Sequence, residues 1–349
     1  NSKDLIEAEV AMTRKSREMI QAHGGRRSGF PAGSLLLAMA GGWIVYSHYG
    51  INHAMPIGDA IPAERESFQS RSAGRLNVYV DRSGTGRPLV LVHSINAAAS
   101  AYEMGPLFAY YRGKRPVYAL DLPGFGFSDR SERIYSPELY TFALQEFIDS
   151  GVGETVDIVA LSLGCEFAAR VAYTRPDLVN SLIFLSPTGL SRMSGSASSS
   201  FSRMYGLSNI FHLILSFPLW SRPIFDLIAT RSSIEFFLSK SFYGPIPPGF
   251  VEYAYASAHQ PGAEHAPLYF LSGKLFTPQV RVAIYERLRT PTLVIYDRDP
   301  YSNFGALPDL LIKNPVWQAV RLVPSLGMPH FERLQDTVEV MDGFWKGSK

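Results

Sequence analysis

The chain has 349 residues, 46% of them hydrophobic and 18% charged, with a formal net charge of +2. This composition supplies a sizeable core, excludes low complexity and disorder, and gives no electrostatic reason to expect nucleic acid. A single cysteine, Cys165, excludes an intrachain disulfide framework.

Residues 1–27 are polar, with scattered Leu5, Ile6, Val10, Met19 and Ile20. They read as a cytoplasmic segment, helical up to Gly24-Gly25. From Ser28 to Gly58 there is no Asp, Glu, Lys or Arg. Within that run, residues 28–49 are expected to form a transmembrane helix, since about 20 apolar residues cross a bilayer. Trp43, Tyr46 and Tyr49 lie toward its end, where interfacial aromatics belong. Arg14, Lys15, Arg17, Arg26 and Arg27 precede it, and the next basic residue is Arg65. The positive-inside rule then puts the N-terminus in the cytoplasm and the main domain in the periplasm or outside the cell, with membrane lipid as a partner. Ala38-Met39-Ala40 leaves a cleavable signal peptide as the alternative. Ser34, Ala38 and Gly42 recur about one helical turn apart, a smooth stripe on which a partner transmembrane helix could pack. Residues 50–70, with Pro56, Gly58 and Pro62, read as a linker.

Beyond the linker, apolar and β-branched runs recur at Leu76–Val80, Pro88–His93, Pro116–Leu122, Val156–Leu161, Ser181–Leu185, Pro291–Tyr296 and Ala319–Val323. Several are nearly continuous, as strands buried on both faces of a parallel sheet should be. Helical stretches at Ser136–Asp149, Cys165–Tyr173 and Gln335–Trp345 alternate with them, an α/β doubly wound pattern. Between Leu185 and Pro291 no strand pattern occurs. A structureless loop of that length is implausible, so residues 191–289 are expected to form a helical lid. The core is then split into residues 71–190 and 290–349.

The strand Val156–Leu161 runs into Ala160-Leu161-Ser162-Leu163-Gly164 and then a helix. A serine between small residues at a strand-to-helix turn is a nucleophile elbow, which lifts the hydroxyl clear of the sheet. Its competing reading is a helix cap. Ala160 stands where the usual motif has Gly. The remaining polar features carry less chemistry. His23, His48, His53, His212, His259 and His265 are scattered without metal-ligand spacing. Gly84-Thr85-Gly86 precedes a strand and so is a turn, because phosphate binding needs a helix N-terminus. No metal or cofactor is expected. Cys165 follows a filled nucleophile position and is assigned to packing.

These residues, with Leu91-Val92-His93-Ser94-Ile95 and Asp121-Leu122-Pro123-Gly124-Phe125-Gly126-Phe127-Ser128, give a chain that resembles the α/β-hydrolase superfamily from about Gly74 to Trp345. The second motif is the most specific, and its role is structural. The resemblance implies a sheet with flanking helices and Ser162 as nucleophile. It implies an oxyanion hole from the Leu163 and Ile95 amides, with Asn96 in reach. Ser94 replaces the family's Gly, and His93 is structural. The acid lies after the strand Pro291–Tyr296: Asp299, with Asp297 in reserve. The base must follow it, and His330 is the histidine that does so. Met328 follows Gly327 where the family commonly has His, and Glu332 follows His330 by two residues rather than four.

Two function classes follow. One is a membrane-anchored serine hydrolase cleaving an ester or related acyl bond, with a small hydrophobic substrate. The other is a non-catalytic subunit of a membrane assembly that keeps the fold. Serine rather than aspartate at position 162 disfavours dehalogenase and epoxide hydrolase chemistry.

Overall fold

The computed structural model describes residues 32–192 and 208–347. The chain divides into two compact units, residues 1–46 and 47–349, and the sheet lies in the second. Its strands are β1 (Glu64–Ser70), β2 (Gly74–Asp81), β3 (Leu89–Val92), β4 (Val117–Asp121), β5 (Val156–Leu161), β6 (Val179–Leu185), β7 (Thr292–Tyr296) and β8 (Trp317–Arg321). They form one eight-stranded sheet in the order β1-β2-β4-β3-β5-β6-β7-β8. β2 runs antiparallel to both β1 and β4, and every other pairing is parallel.

Every residue of β3, β4 and β5 is buried, which explains their unbroken apolar sequences. Successive side chains enter opposite layers. Val90 and Val92 pack with Leu144 and Phe167, from the helices Pro137–Glu146 and Gly164–Thr174. Leu89 and Leu91 pack with Phe108 and Met341, from the helices Gly105–Tyr111 and Leu334–Gly347. Each fully buried Leu, Val or Phe contributes roughly 1.5–3 kcal/mol, so these two layers hold the strand ends in register.

The structure departs from the sequence reading at three places. Residues 64–70, expected to be linker, form β1 and pair with β2 along their whole length. Its alternating exposure with polar Glu64, Glu66 and Ser70 is that of an edge strand, and it lacks a long apolar run. β8 begins at Trp317, two residues before the expected Ala319, because Trp317 and not Val323 is buried.

The third departure is the membrane segment. Residues 28–31 of it lie outside the described residues; the rest falls in the helix Ala32–Gly50. No described helix is long and apolar enough to cross a membrane. Glycine, serine, histidine and tyrosine dilute the run, leaving Leu35–Ala40 and Ile44–Val45 as its apolar parts. Its last turn is also committed elsewhere: Ser47 is buried and donates to Asp226 Oδ2 at 2.6 Å. The N-terminal segment 1–27 lies outside the described residues.

Between β6 and β7 the described residues are helical at 208–215, Ser221–Ile228, Arg231–Ser241, Phe250–Ala258, His265–Leu271 and Val280–Ala283, with no strand among them. Thr230 caps the helix Arg231–Ser241 by accepting from Ser233 N–H. The stretch 193–207 lies outside the described residues.

The Asp121–Ser128 motif is a buried polar joint. Asp121 accepts from Asn77 Nδ2, Ala101 N–H and Phe127 N–H, at 2.9–3.0 Å. Ser128 Oγ accepts from Asn77 N–H and donates to the Asp121 carbonyl. Gly126 has φ +51°, and a β-carbon there would sit 1.9 Å from the Asp121 carboxyl carbon. Gly126→Ala should destabilise the fold by about 3 kcal/mol or more, since it strains the backbone and breaks a buried network. Thermal unfolding followed by circular dichroism measures it, and a loss under about 1 kcal/mol would refute the role given to Gly126.

Candidate active site

β5 ends at Leu161, and Ser162 takes φ +52° before the helix begins at Gly164. A serine in the left-handed region is strained, and such strain persists only where surroundings impose it. Here the imposition is visible. Ser162 N–H donates to the Leu185 carbonyl at the end of β6 (2.9 Å), and the Ser162 carbonyl accepts from Cys165 N–H (3.2 Å). A β-carbon on Gly164 would lie 2.5 Å from the His93 carbonyl oxygen, so this position requires glycine. Ala160 is tolerated because it is a buried strand residue two positions earlier.

That close approach seats the loop after β3 directly on the elbow. His93 is spent on backbone: Nδ1–H donates to the Ser94 carbonyl and Nε2 accepts from Leu122 N–H. Burial holds its pKa down at about 4, so it stays neutral. Ile95 is buried, and Asn96 is partly buried. Among the described residues neither the Ile95 nor the Leu163 N–H has a hydrogen-bond partner. Cys165 Sγ donates to the Ala160 carbonyl, and burial raises its thiol well above the usual range, which removes the thiolate that reactivity needs.

The two aspartates after β7 differ sharply. Asp297 is buried and accepts from Arg321 Nε (2.7 Å) and Ser325 N–H (3.1 Å), tying β7 to the end of β8. Among the described residues Asp299 has no ion pair; it accepts from Tyr301 N–H, and burial raises its pKa. Its Oδ2 lies 3.6 Å from where a β-carbon on Gly327 would be, so Asp299 abuts the loop leading to His330.

His330 is fully buried in the turn Pro329–Glu332. Its Nε2–H donates to the Glu103 carbonyl at 2.6 Å, and its buried Nδ1 has no partner. Burial lowers its pKa to about 4, leaving a neutral ring with a lone pair on the unpartnered nitrogen. The structure therefore brings the β3 loop to Ser162 and Asp299 to the histidine loop. It draws no hydrogen bond joining Ser162, His330 and Asp299 to one another, the contact expected of a serine–base pair.

Glu103 escaped the sequence reading, and so did the role of Glu332. Glu103, in the 3-10 turn Ala101–Met104, is buried and accepts from Ser94 N–H (2.8 Å), Ser94 Oγ (3.0 Å) and Asn96 Nδ2 (2.8 Å). Its signal was there: it is the one charged residue between Ser94 and Tyr111. Glu332 accepts from Tyr243, Gly244 and Leu326 N–H, clamping the helical insertion to the histidine loop. A cavity of about 440 Å³ opens beside this clamp, between Phe242–Pro247 and Phe331–Arg333. Among the described residues no group of His, Cys, Asp and Glu could hold a metal ion.

A serine on a strained strand-to-helix turn of a mostly parallel sheet defines an α/β hydrolase. The sequence pattern of the Alpha/beta hydrolase family matches residues 89–340, and the chain belongs to that family. A pimeloyl-[acyl-carrier protein] methyl ester esterase of Legionella pneumophila (strain Lens) is 26% identical over 108 residues, covering 31% of this chain and 41% of that one. The stretches shared with the curated relatives span about a third to two fifths of those relatives' length. Among solved structures, a putative lipase from Acinetobacter baumannii AYE superposes with a TM-score of 0.64 at 18% identity, over 82% of this chain and 91% of that one. A bacterial membrane phospholipase A superposes with a TM-score of 0.62 at 17% identity, over 99% of both chains. At such identities the likeness establishes the fold.

The contrast between the aspartates is testable by urea denaturation. Asp297→Asn should cost about 1–3 kcal/mol, because it weakens a buried acceptor with two partners. Asp299→Asn should change stability by no more than about 0.5 kcal/mol. Equal costs would show that Asp299 is as structural as Asp297.

Proposed function

We propose that this chain is a serine hydrolase that cleaves an ester or related acyl bond of a small hydrophobic substrate. The observation that carries the reading is the strained Ser162, in a turn on which the loop after β3 is seated through the His93 carbonyl. Strain of this kind costs on the order of 1–3 kcal/mol and gathers at functional sites. Unpartnered N–H groups beside a nucleophile are what a developing oxyanion requires.

In the proposed reaction Ser162 Oγ attacks the acyl carbon, and His330 takes the hydroxyl proton. The Leu163 and Ile95 N–H groups hold the oxyanion of the tetrahedral intermediate. The intermediate collapses, the leaving group departs with the proton from His330, and water then releases the acyl group by the same steps. In this reading the charge of Asp299 stabilises the protonated ring. The neutral His330 with a free lone pair supports its role as base, and catalytic hydrogen bonds are often long until substrate binds. The helical insertion serves as a lid. Its exposed Phe211, Leu213, Phe217, Leu219, Phe236 and Phe237 favour an apolar substrate, as do the lipase and phospholipase among the structural neighbours.

The lack of a drawn bond between His330 and Ser162 favours a second reading, a fold retained by a non-catalytic subunit. A fluorophosphonate probe separates the two. The hydrolase reading expects covalent labelling of the wild-type chain at Ser162. It also expects Ser162→Ala and His330→Ala each to lower turnover of p-nitrophenyl esters on the order of 10³-fold, with the double variant little worse. A wild-type chain that resists the probe and hydrolyses no ester would leave the subunit reading in its place.

A further inference from the structure

We propose that Glu103 is a positioning residue that holds both halves of the catalytic apparatus: its carboxylate fixes the oxyanion loop and its backbone carbonyl fixes His330. The inference rests on the hydrolase reading above and adds a residue to it.

Glu103 is 1% exposed, yet its carboxyl touches no cation. All its partners belong to one loop. Oε2 accepts from Ser94 N–H, and Oε1 accepts from Ser94 Oγ and Asn96 Nδ2. Ile95, whose N–H faces no partner, lies between those two anchored residues. With Ser94 and Asn96 both tied, the Ile95 peptide has little freedom to rotate its N–H away from the elbow. Ser94 also explains its departure from the family's glycine: its hydroxyl is a second tie to the same carboxylate. From the other side, the Glu103 carbonyl accepts from His330 Nε2–H and fixes both the ring and its tautomer.

Ionisation matters because both carboxyl oxygens are acceptors here. Protonating one replaces an acceptor by a donor that faces Ser94 N–H or the Asn96 amide. Burial raises the Glu103 carboxyl to about 6. The titratable groups around it are His330, His93 at the end of β3, and Asp121, which holds Ala101 N–H of the same turn. His330 and His93 are both held near 4 by burial, below Glu103. Burial raises Asp121 as well; two of its three donors, Asn77 Nδ2 and Phe127 N–H, lie on other elements, and the third is Ala101 N–H of the turn that carries Glu103. Glu166 in the elbow helix is raised by burial to about 7 and titrates in the same range, so the limb assigned to Glu103 is the one that a change at Glu103 or Asn96 removes or moves.

The experiment is kcat and KM for p-nitrophenyl butyrate across pH 4.5–8.5, with the fluorophosphonate probe run in parallel. Wild type should lose kcat as pH falls through about 6. Glu103→Gln should lower kcat at pH 8 by roughly 10- to 100-fold with KM changed less than about threefold, as misplacing one donor does. The fall near pH 6 should be gone from its profile. If Glu103→Gln does not fold, Asn96→Asp tests the same point: a like charge beside Glu103 should move the acidic limb to higher pH. A Glu103→Gln enzyme with wild-type kcat, or an acidic limb unmoved in either variant, overturns the role of Glu103 while the labelled Ser162 stands. A wild-type chain without labelling or turnover overturns both readings together.

Discussion

The carbonyl oxygen of His93 occupies the place where a side chain on residue 164 would begin. Much of the site depends on that approach. It makes the nucleophile turn and the β3 loop one rigid body, because neither can shift without opening a void or a clash in a close-packed interior. The strain at Ser162 is imposed by the same body: β6 holds its N–H, the elbow helix holds its carbonyl, and the β3 loop closes the third side. Position 162 is thus fixed by backbone contacts, and its hydroxyl is left free of structural work.

Buried carboxylates join the remaining parts. Asp121 links β2, β4 and the turn at Ala101; Asp297 links β7 and β8. Glu166 in the elbow helix accepts from Thr188 Oγ1 and Thr277 N–H, and burial raises it to about 7. Each is costly to bury alone and acceptable because donors surround it. The pattern explains why so few of them are available for chemistry. Asp299 stands apart, since among the described residues it pairs with no cation and its partners are the neighbouring Tyr301 and Ser302.

How far the sequence could reach follows from the range of each interaction. β3 to β7 were legible as apolar runs, because burial on both faces leaves an unbroken signal. The elbow and the Asp121 motif were legible because their geometry demands particular residues at short spacing. β1 was hidden by its polar edge. The end of the helix Ala32–Gly50 was hidden because Ser47 finds its partner in Asp226, 179 residues away. Glu103 and Glu332 were hidden for the same reason: an isolated glutamate does not announce which distant amides it will hold. His330 could be placed in the chain by order, but its bond to the Glu103 carbonyl depends on packing between elements 227 residues apart.

Asp226 and Glu332 hold the helical insertion at two places of unequal strength. Asp226 is wholly buried and is bound from outside the insertion by Ser47 and His53, while Arg222 pairs with it one turn away on its own helix; each of the two outside bonds is worth about 1.5–3 kcal/mol. Glu332 is partly exposed and grips Tyr243 and Gly244 through backbone amides that water can replace, at about 1 kcal/mol each. Of the two ties, the one at Glu332 is the more easily exchanged for water, and it lies beside the cavity at Phe242–Pro247.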